Sequence, residues 1–207
     1  MIGSERVVFI SFVPGSFGSF LLHCLSYSPN VYYKKTSPIY FDSEGASHYN
    51  IKQHLDFLHD GCTFKKWSIR DEVSKIKELE NKWDLPKNFI ESNKYYLHRI
   101  TLPKLLPALM LALPNSKFIN ISVPEKYNEF IREQMERKSL GKKYFRPNYV
   151  RSIGSNAIID GTYNFDVSHF IEGTFVEEFY NLCKWLNFEK VDISLEYENF
   201  KKANKII

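Results

Sequence analysis

The clearest pattern along the chain is a β-rich apolar run, residues 7–12, that passes through a glycine-containing loop into an apolar helix-like run, residues 20–25. The first run is rich in Val, Ile and Phe, which favour strands. Between the two runs, Gly15 and Gly18 allow the backbone to bend and to approach a ligand closely. The pattern therefore predicts a strand, a turn and a helix N-terminus, in that order.

A turn of this kind has the chemistry of an anion site. The first N–H groups of a helix have no partner within the helix, and they carry the positive end of its dipole. Ser16 and Ser19 add hydroxyl donors, and Pro14 can end the strand because it offers no ladder N–H. The alternative is a turn whose glycines serve only geometry. A Walker A loop has a Lys after its last Gly, whereas Ser19 follows Gly18 here, so an ordinary ATPase or GTPase is disfavoured.

The middle of the chain alternates between strand-like and helix-like segments. The pattern predicts strands at 94–99 and 117–123, and an apolar crossover segment at 102–111 between them. Pro124 then opens a predicted helix over 125–138. This alternation favours an α/β fold with a parallel sheet covered by helices. Ligands are expected at the carboxyl ends of the strands.

Three further segments complete the prediction. Residues 34–47 are expected to form a surface loop, and residues 49–59 and 71–83 have the apolar spacing of amphipathic helices. A later helix is expected over 174–188. The basic, aromatic-rich segment 142–151 suits stacking on a base and pairing with a phosphate, and equally suits an exposed loop.

Composition narrows the class of protein. The 207 residues are 43% hydrophobic, which is enough for one core, so we expect a single domain over 1–207. The net charge of +4 is too small to indicate nucleic acid, and three separated cysteines support neither a disulfide framework nor a zinc site. No apolar run approaches the roughly 18 residues of a membrane span. We therefore expect a cytoplasmic protein without a membrane or nucleic-acid partner.

Several of these segments resemble the sulfotransferases that use 3'-phosphoadenosine 5'-phosphosulfate (PAPS) as sulfuryl donor. Residues 8–25 resemble the family's 5'-phosphosulfate loop, and residues 113–124 look like its strand and following helix for the 3'-phosphate. Residues 96–103 are similar to the segment that places a histidine base beyond a strand, and 174–188 resemble a late helix. The resemblance implies a three-layer α/β fold of the P-loop NTPase-like type.

The chain departs from the family at the residues that contact phosphate. Ser16 and Phe17 stand where the family commonly has a cation, and Ser122 stands where it has an Arg. Lys126 and Arg132 are nearby cations that offer compensation, as is Arg99.

The resemblance implies the following site. His98 is the expected catalytic base, because imidazole titrates near neutrality and because the residue is expected to sit at a strand end. No metal is implied, and the acceptor is a hydroxyl or amine of a small molecule or carbohydrate. Two alternatives stay open, a catalytically inactive P-loop-like protein that binds a nucleotide or anion and a small-molecule kinase. The expected donor-binding residues are Gly15, Ser16, Phe17, Gly18, Ser19, Phe20, Ser122, Arg146 and Arg151.

Overall fold

The computed structural model describes residues 4–13, 15–31, 40–41, 47–48, 94–100, 106–139 and 158–206. Within these ranges the strands form one parallel sheet and one small antiparallel pair. The strands are β1 (Val7–Ser11), β2 (Tyr40–Phe41), β3 (Ser47–His48), β4 (Tyr96–Ile100), β5 (Lys117–Ser122) and β6 (Tyr163–Asp166).

Helices connect and follow these strands. Short 3-10 turns at Ser4–Arg6 and Glu125–Tyr127 precede β1 and the helix Asn128–Ser139, respectively. The α/β fold with a parallel sheet and helices is thereby confirmed for the described residues. The α-helices are α1 (Gly18–Ser26), α2 (Leu106–Ala112), α3 (Asn128–Ser139), α4 (Ser168–Ile171), α5 (Phe175–Leu186) and α6 (Ser194–Asn204).

The order of the strands locates the part of the sheet where a ligand is expected. The sheet runs β4-β1-β5-β6, and every pairing in it is parallel. After β1, the chain therefore places β4 on one side of β1. It then crosses to the other side, where it places β5 and β6. In parallel α/β sheets, ligands bind outside the carboxyl ends of the strands where the order reverses. Here that position is next to the ends of β1 and β5.

One face of the sheet is mainly apolar at its centre. Because successive side chains of a strand point to opposite faces, Ile10, Ile119 and Phe165 share this face. They belong to one buried cluster with Phe20 of α1 and Phe200 of α6. This face holds the main core, in which α1 and α5 contact the sheet and α6 packs on these two helices.

The opposite face changes character along the strands. Phe9 and Phe118 stack there, with ring centroids 5.2 Å apart. Toward the carboxyl ends the same face carries only polar residues on the three neighbouring strands β1, β5 and β6. We call this set the polar edge, and it consists of Ser11, Asn120, Ser122, Asn164 and Asp166.

Several predictions can be compared with these bounds. Strand β5 and helix α5 lie within the predicted ranges, and the predicted helix at 125 begins instead with a 3-10 turn before α3. Pro124 has the extended backbone of φ −56° and ψ 146° before that turn. The helices predicted at 49–59 and 71–83, most of the loop at 34–47, and the segment 142–151 lie outside the described residues.

Candidate functional site

The turn between β1 and α1 is built on two residues with left-handed backbone. Gly15 has φ 92°, which glycine adopts freely, but Phe17 has φ 62°. A side chain in this conformation costs about 1–2 kcal/mol, so packing must hold Phe17 in place. The turn is closed by Ser16, whose amide and hydroxyl both donate to the Val13 carbonyl, at 3.2 and 2.7 Å. Ser16 is fully buried, and its hydroxyl is used by the fold.

The side chain of Phe17 is what anchors the turn. It is 4% exposed and lies against three other rings, those of Phe130, Phe170 and Phe200, at centroid distances of 5.0 to 6.1 Å. These rings come from α3, α4 and α6. Buried aromatic pairs add to the stability that their area supplies. Phe17 therefore contributes to the core and presents no side chain to a ligand.

Gly18 is required by close packing and not by its backbone angles. A Cβ at this position would overlap the ring of Phe12, which is itself buried. Phe20, two residues later, donates its amide to the Phe17 carbonyl at 2.9 Å and stacks its ring on Phe200 at 4.0 Å. Phe20 thus offers neither an amide nor a polar side chain to a ligand.

What the turn retains for an anion is backbone. Within the described residues, the amides of Gly18 and Ser19 donate to no acceptor, as expected for the first positions of a helix. The Ser19 side chain is half-buried. The sequence predicted hydrogen-bond donors throughout residues 15–20. Among the described residues, the amides that remain available to an anion are those at the start of α1.

Lys126 and Arg132, which could replace the cations missing from the predicted phosphate contacts, are both paired with glutamates. Lys126 donates to Glu172 at 3.0 Å, and Arg132 pairs with Glu129 one turn away on α3. Tyr127 also donates to Glu172. These bonds, first that of Tyr127 and then that of Lys126, lower the pKa of the Glu172 carboxyl. The side chain of Arg99 is not among those that the structure describes.

His98 lies further from the strand end than predicted. It is the third of the five residues of β4, and its register partner is Phe9, in the middle of β1. Ile100, which pairs with Ser11, ends the strand. The expectation that His98 sits at a strand end is wrong, because the strand continues for two residues beyond it.

A cavity of about 390 Å³ lies at the carboxyl ends of β5 and β6. Ser122, one of the predicted donor-binding residues, lines this cavity together with two carboxylates, those of Glu125 and Asp166. No Lys or Arg is among the lining residues that the structure describes. Carboxylates repel a phosphate, so this cavity does not have the chemistry expected of a 3'-phosphate site. The remaining lining residues are Pro124, Ile158 and Asn164.

Hydrogen bonds hold the polar edge beside this cavity. Asn164 accepts from the Ile159 amide at 3.1 Å and from Asn120 at 3.2 Å. Asp166 accepts from the Ser168 amide at 2.7 Å through Oδ1. The hydroxyl of Ser11 is fully buried and has no partner within the described residues.

Sequence reasoning missed Glu125, Asn164 and Asp166. The strand containing the last two follows the alternation Tyr163, Asn164, Phe165, Asp166, which is the available signal. The predicted donor-binding residues Arg146 and Arg151 lie outside the described residues. Within the described ranges, the structure brings no three His, Cys, Asp or Glu residues together as a metal site.

Comparison with protein-family models, with curated proteins and with solved structures finds no match for this chain. Of the helices in the described ranges, none has the length and apolar character needed to cross a membrane.

Proposed function

We propose that this chain is a P-loop-like protein of the sulfotransferase type, which binds the anionic group of a nucleotide at the turn between β1 and α1. The observation that carries the proposal is the pair of amides at Gly18 and Ser19, which donate to no acceptor within the described part of the chain. They open a helix that begins at the carboxyl end of β1, where the strand order reverses. Helix dipole and free N–H groups together favour an anion at such a position.

PAPS is the nucleotide to test first, because the resemblance to sulfotransferases names it as donor. Transfer would break the bond between sulfur and the 5'-phosphate oxygen of PAPS and form a bond from sulfur to an acceptor hydroxyl or amine. The products would be the sulfated acceptor, 3'-phosphoadenosine 5'-phosphate and a proton, and the amides would stabilise the charge that develops. A transfer assay with PAPS carrying labelled sulfate, against mixed hydroxyl and amine acceptors, tests this activity. Label that moves to an acceptor supports a transferase.

A second candidate, binding without turnover, is favoured by the side chains of the turn. Ser16 is bonded to Val13 and Phe17 is packed among rings, so neither replaces the cation that the family uses. Nucleotide binding with no transfer of label identifies this function. A small-molecule kinase is the third candidate, and it is disfavoured by the absence of a Lys in the turn.

Binding at the turn is tested by Ser19→Asp, with Ser19→Asn as the matched neutral control. A negative side chain in the first turn stabilises a helix by about 0.3–1 kcal/mol, but it repels a bound anion. We expect Ser19→Asp to keep or raise the melting temperature and to lose affinity for 3'-phosphoadenosine 5'-phosphate, measured by calorimetry. Affinity that is equal in the Asp and Asn variants would show that the anion binds elsewhere.

A further inference from the structure

The cavity at the ends of β5 and β6 has chemistry opposite to that of the turn. Glu125 is exposed, Asp166 is half-buried, and neither forms an ion pair within the described residues. The nearest cation in sequence, Lys126, is bound to Glu172. The negative charge of the cavity is therefore not neutralised by the described part of the chain.

Most of the unused hydrogen-bonding groups at this cavity, within the described residues, are acceptors. The Ser168 amide uses Oδ1 of Asp166, and no described group donates to Oδ2. The hydroxyl of Ser122 also has no partner within the described residues. The amide of Asn164 is fully bonded, since its oxygen accepts twice and its nitrogen donates to the carbonyls of Ile159 and Thr162. Asn164 thus shapes the wall while the carboxylates and Ser122 stay available.

We propose that this cavity binds the ammonium group of a small amine. An ammonium supplies three N–H donors and a positive charge, which matches two unpaired carboxylates and a hydroxyl. Ile158, which is 73% exposed, supplies an apolar wall for the carbon skeleton of the ligand.

Binding of the amine does not depend on the proposed function, whereas its use as an acceptor does. If the bound amine is the acceptor of the sulfuryl group, the acceptor is an amine and not a hydroxyl. The two sites are adjacent, because the cavity lies on β5, the direct neighbour of β1.

The test is calorimetric titration of the full chain with two matched pairs of ligands, glucosamine against glucose and ethanolamine against ethylene glycol. We expect each amine to bind about tenfold more tightly than its neutral partner, as for a charge-assisted hydrogen bond. The preference should weaken with added salt. Equal binding within both pairs, or no binding by either amine in the millimolar range, would overturn the proposal.

Charge-removing variants locate the site. Asp166→Asn retains an oxygen for the Ser168 amide, so the fold should be kept while the amine preference falls about tenfold. Glu125→Gln changes an exposed residue and should reduce the preference without changing the melting temperature. Glu133→Gln, an exposed glutamate of α3 outside the cavity, is the control and should change nothing. An amine preference that persists in Asp166→Asn and Glu125→Gln would refute this location.

The two proposals fail separately. The amine titrations contain no nucleotide, and the nucleotide titrations contain no amine. Loss of nucleotide binding in Ser19→Asp with an intact amine preference supports both sites. An amine preference in a chain that binds no nucleotide would leave the cavity in place and remove the proposed function.

Discussion

The turn after β1 and the cavity after β5 and β6 occupy neighbouring positions on one sheet edge, yet the fold uses them differently. At the turn, Ser16 is buried and hydrogen-bonded and Phe17 is buried among rings, so the amides at the start of α1 and the half-buried Ser19 are what is left for a ligand. At the cavity, the Ser122 hydroxyl and Oδ2 of Asp166 have no partner among the described residues. A glycine in such a turn can thus be required by close packing, as Gly18 is. The more open surface is marked by polar residues that alternate with apolar ones along a strand, as in β6.

The largest expected effect is on the aromatic anchor of the turn. Phe17→Ala removes a buried ring and should lower the free energy of unfolding by about 3–5 kcal/mol. Phe17→Gly should be roughly 1 kcal/mol more stable than Phe17→Ala, since glycine adopts the left-handed backbone without strain. Urea denaturation measures both. A loss below about 1 kcal/mol for Phe17→Ala would mean that the ring is not an anchor.

A smaller effect is expected from overfilling the turn. Gly18→Ala places a Cβ into the ring of Phe12 and should cost about 1–3 kcal/mol. In a Phe12→Leu background the same change should cost less, because the ring is gone. Additive losses in the double variant would contradict a direct clash between Gly18 and Phe12. The measurement is again denaturant unfolding of the four proteins.

The smallest effects are expected from two fully buried serines, Ser16 in the turn and Ser11 on the polar edge at the end of β1. Ser16→Ala breaks the bond to the Val13 carbonyl and should cost about 1 kcal/mol. Ser11→Ala removes a hydroxyl that has no partner in the described residues, so its stability should stay within about 0.5 kcal/mol of wild type. A loss at Ser11 equal to that at Ser16 would show that the polar edge is bonded more fully than described.

The sequence predicted the elements whose apolar pattern is strong. The strand, turn and helix at β1 and α1, the strand β5 and the helix α5 all lie where the periodicity indicates them. Their positions follow from local patterns that packing reinforces. β6 was missed because it has only four residues, two of them polar, and it lies at the edge of the described sheet.

The roles of the side chains in the turn could not be predicted from the local sequence pattern. No local rule predicts a left-handed Phe17, because rings from three helices that are distant in sequence hold it there. The error at His98 has a different origin. Strand ends are set by pairing with neighbours, and the pairing of Ile100 with Ser11 extends β4 past the predicted boundary.

The most direct test of the contrast between the two regions is one NMR experiment, in which amide shifts of ¹⁵N-labelled chain are followed during separate titrations with 3'-phosphoadenosine 5'-phosphate and with glucosamine. We expect the nucleotide to shift the amides of Gly18 and Ser19, and glucosamine to shift those around Ser122 and Asp166. Nucleotide-induced shifts that leave Gly18 and Ser19 unchanged would contradict binding of the anion at the helix start after β1.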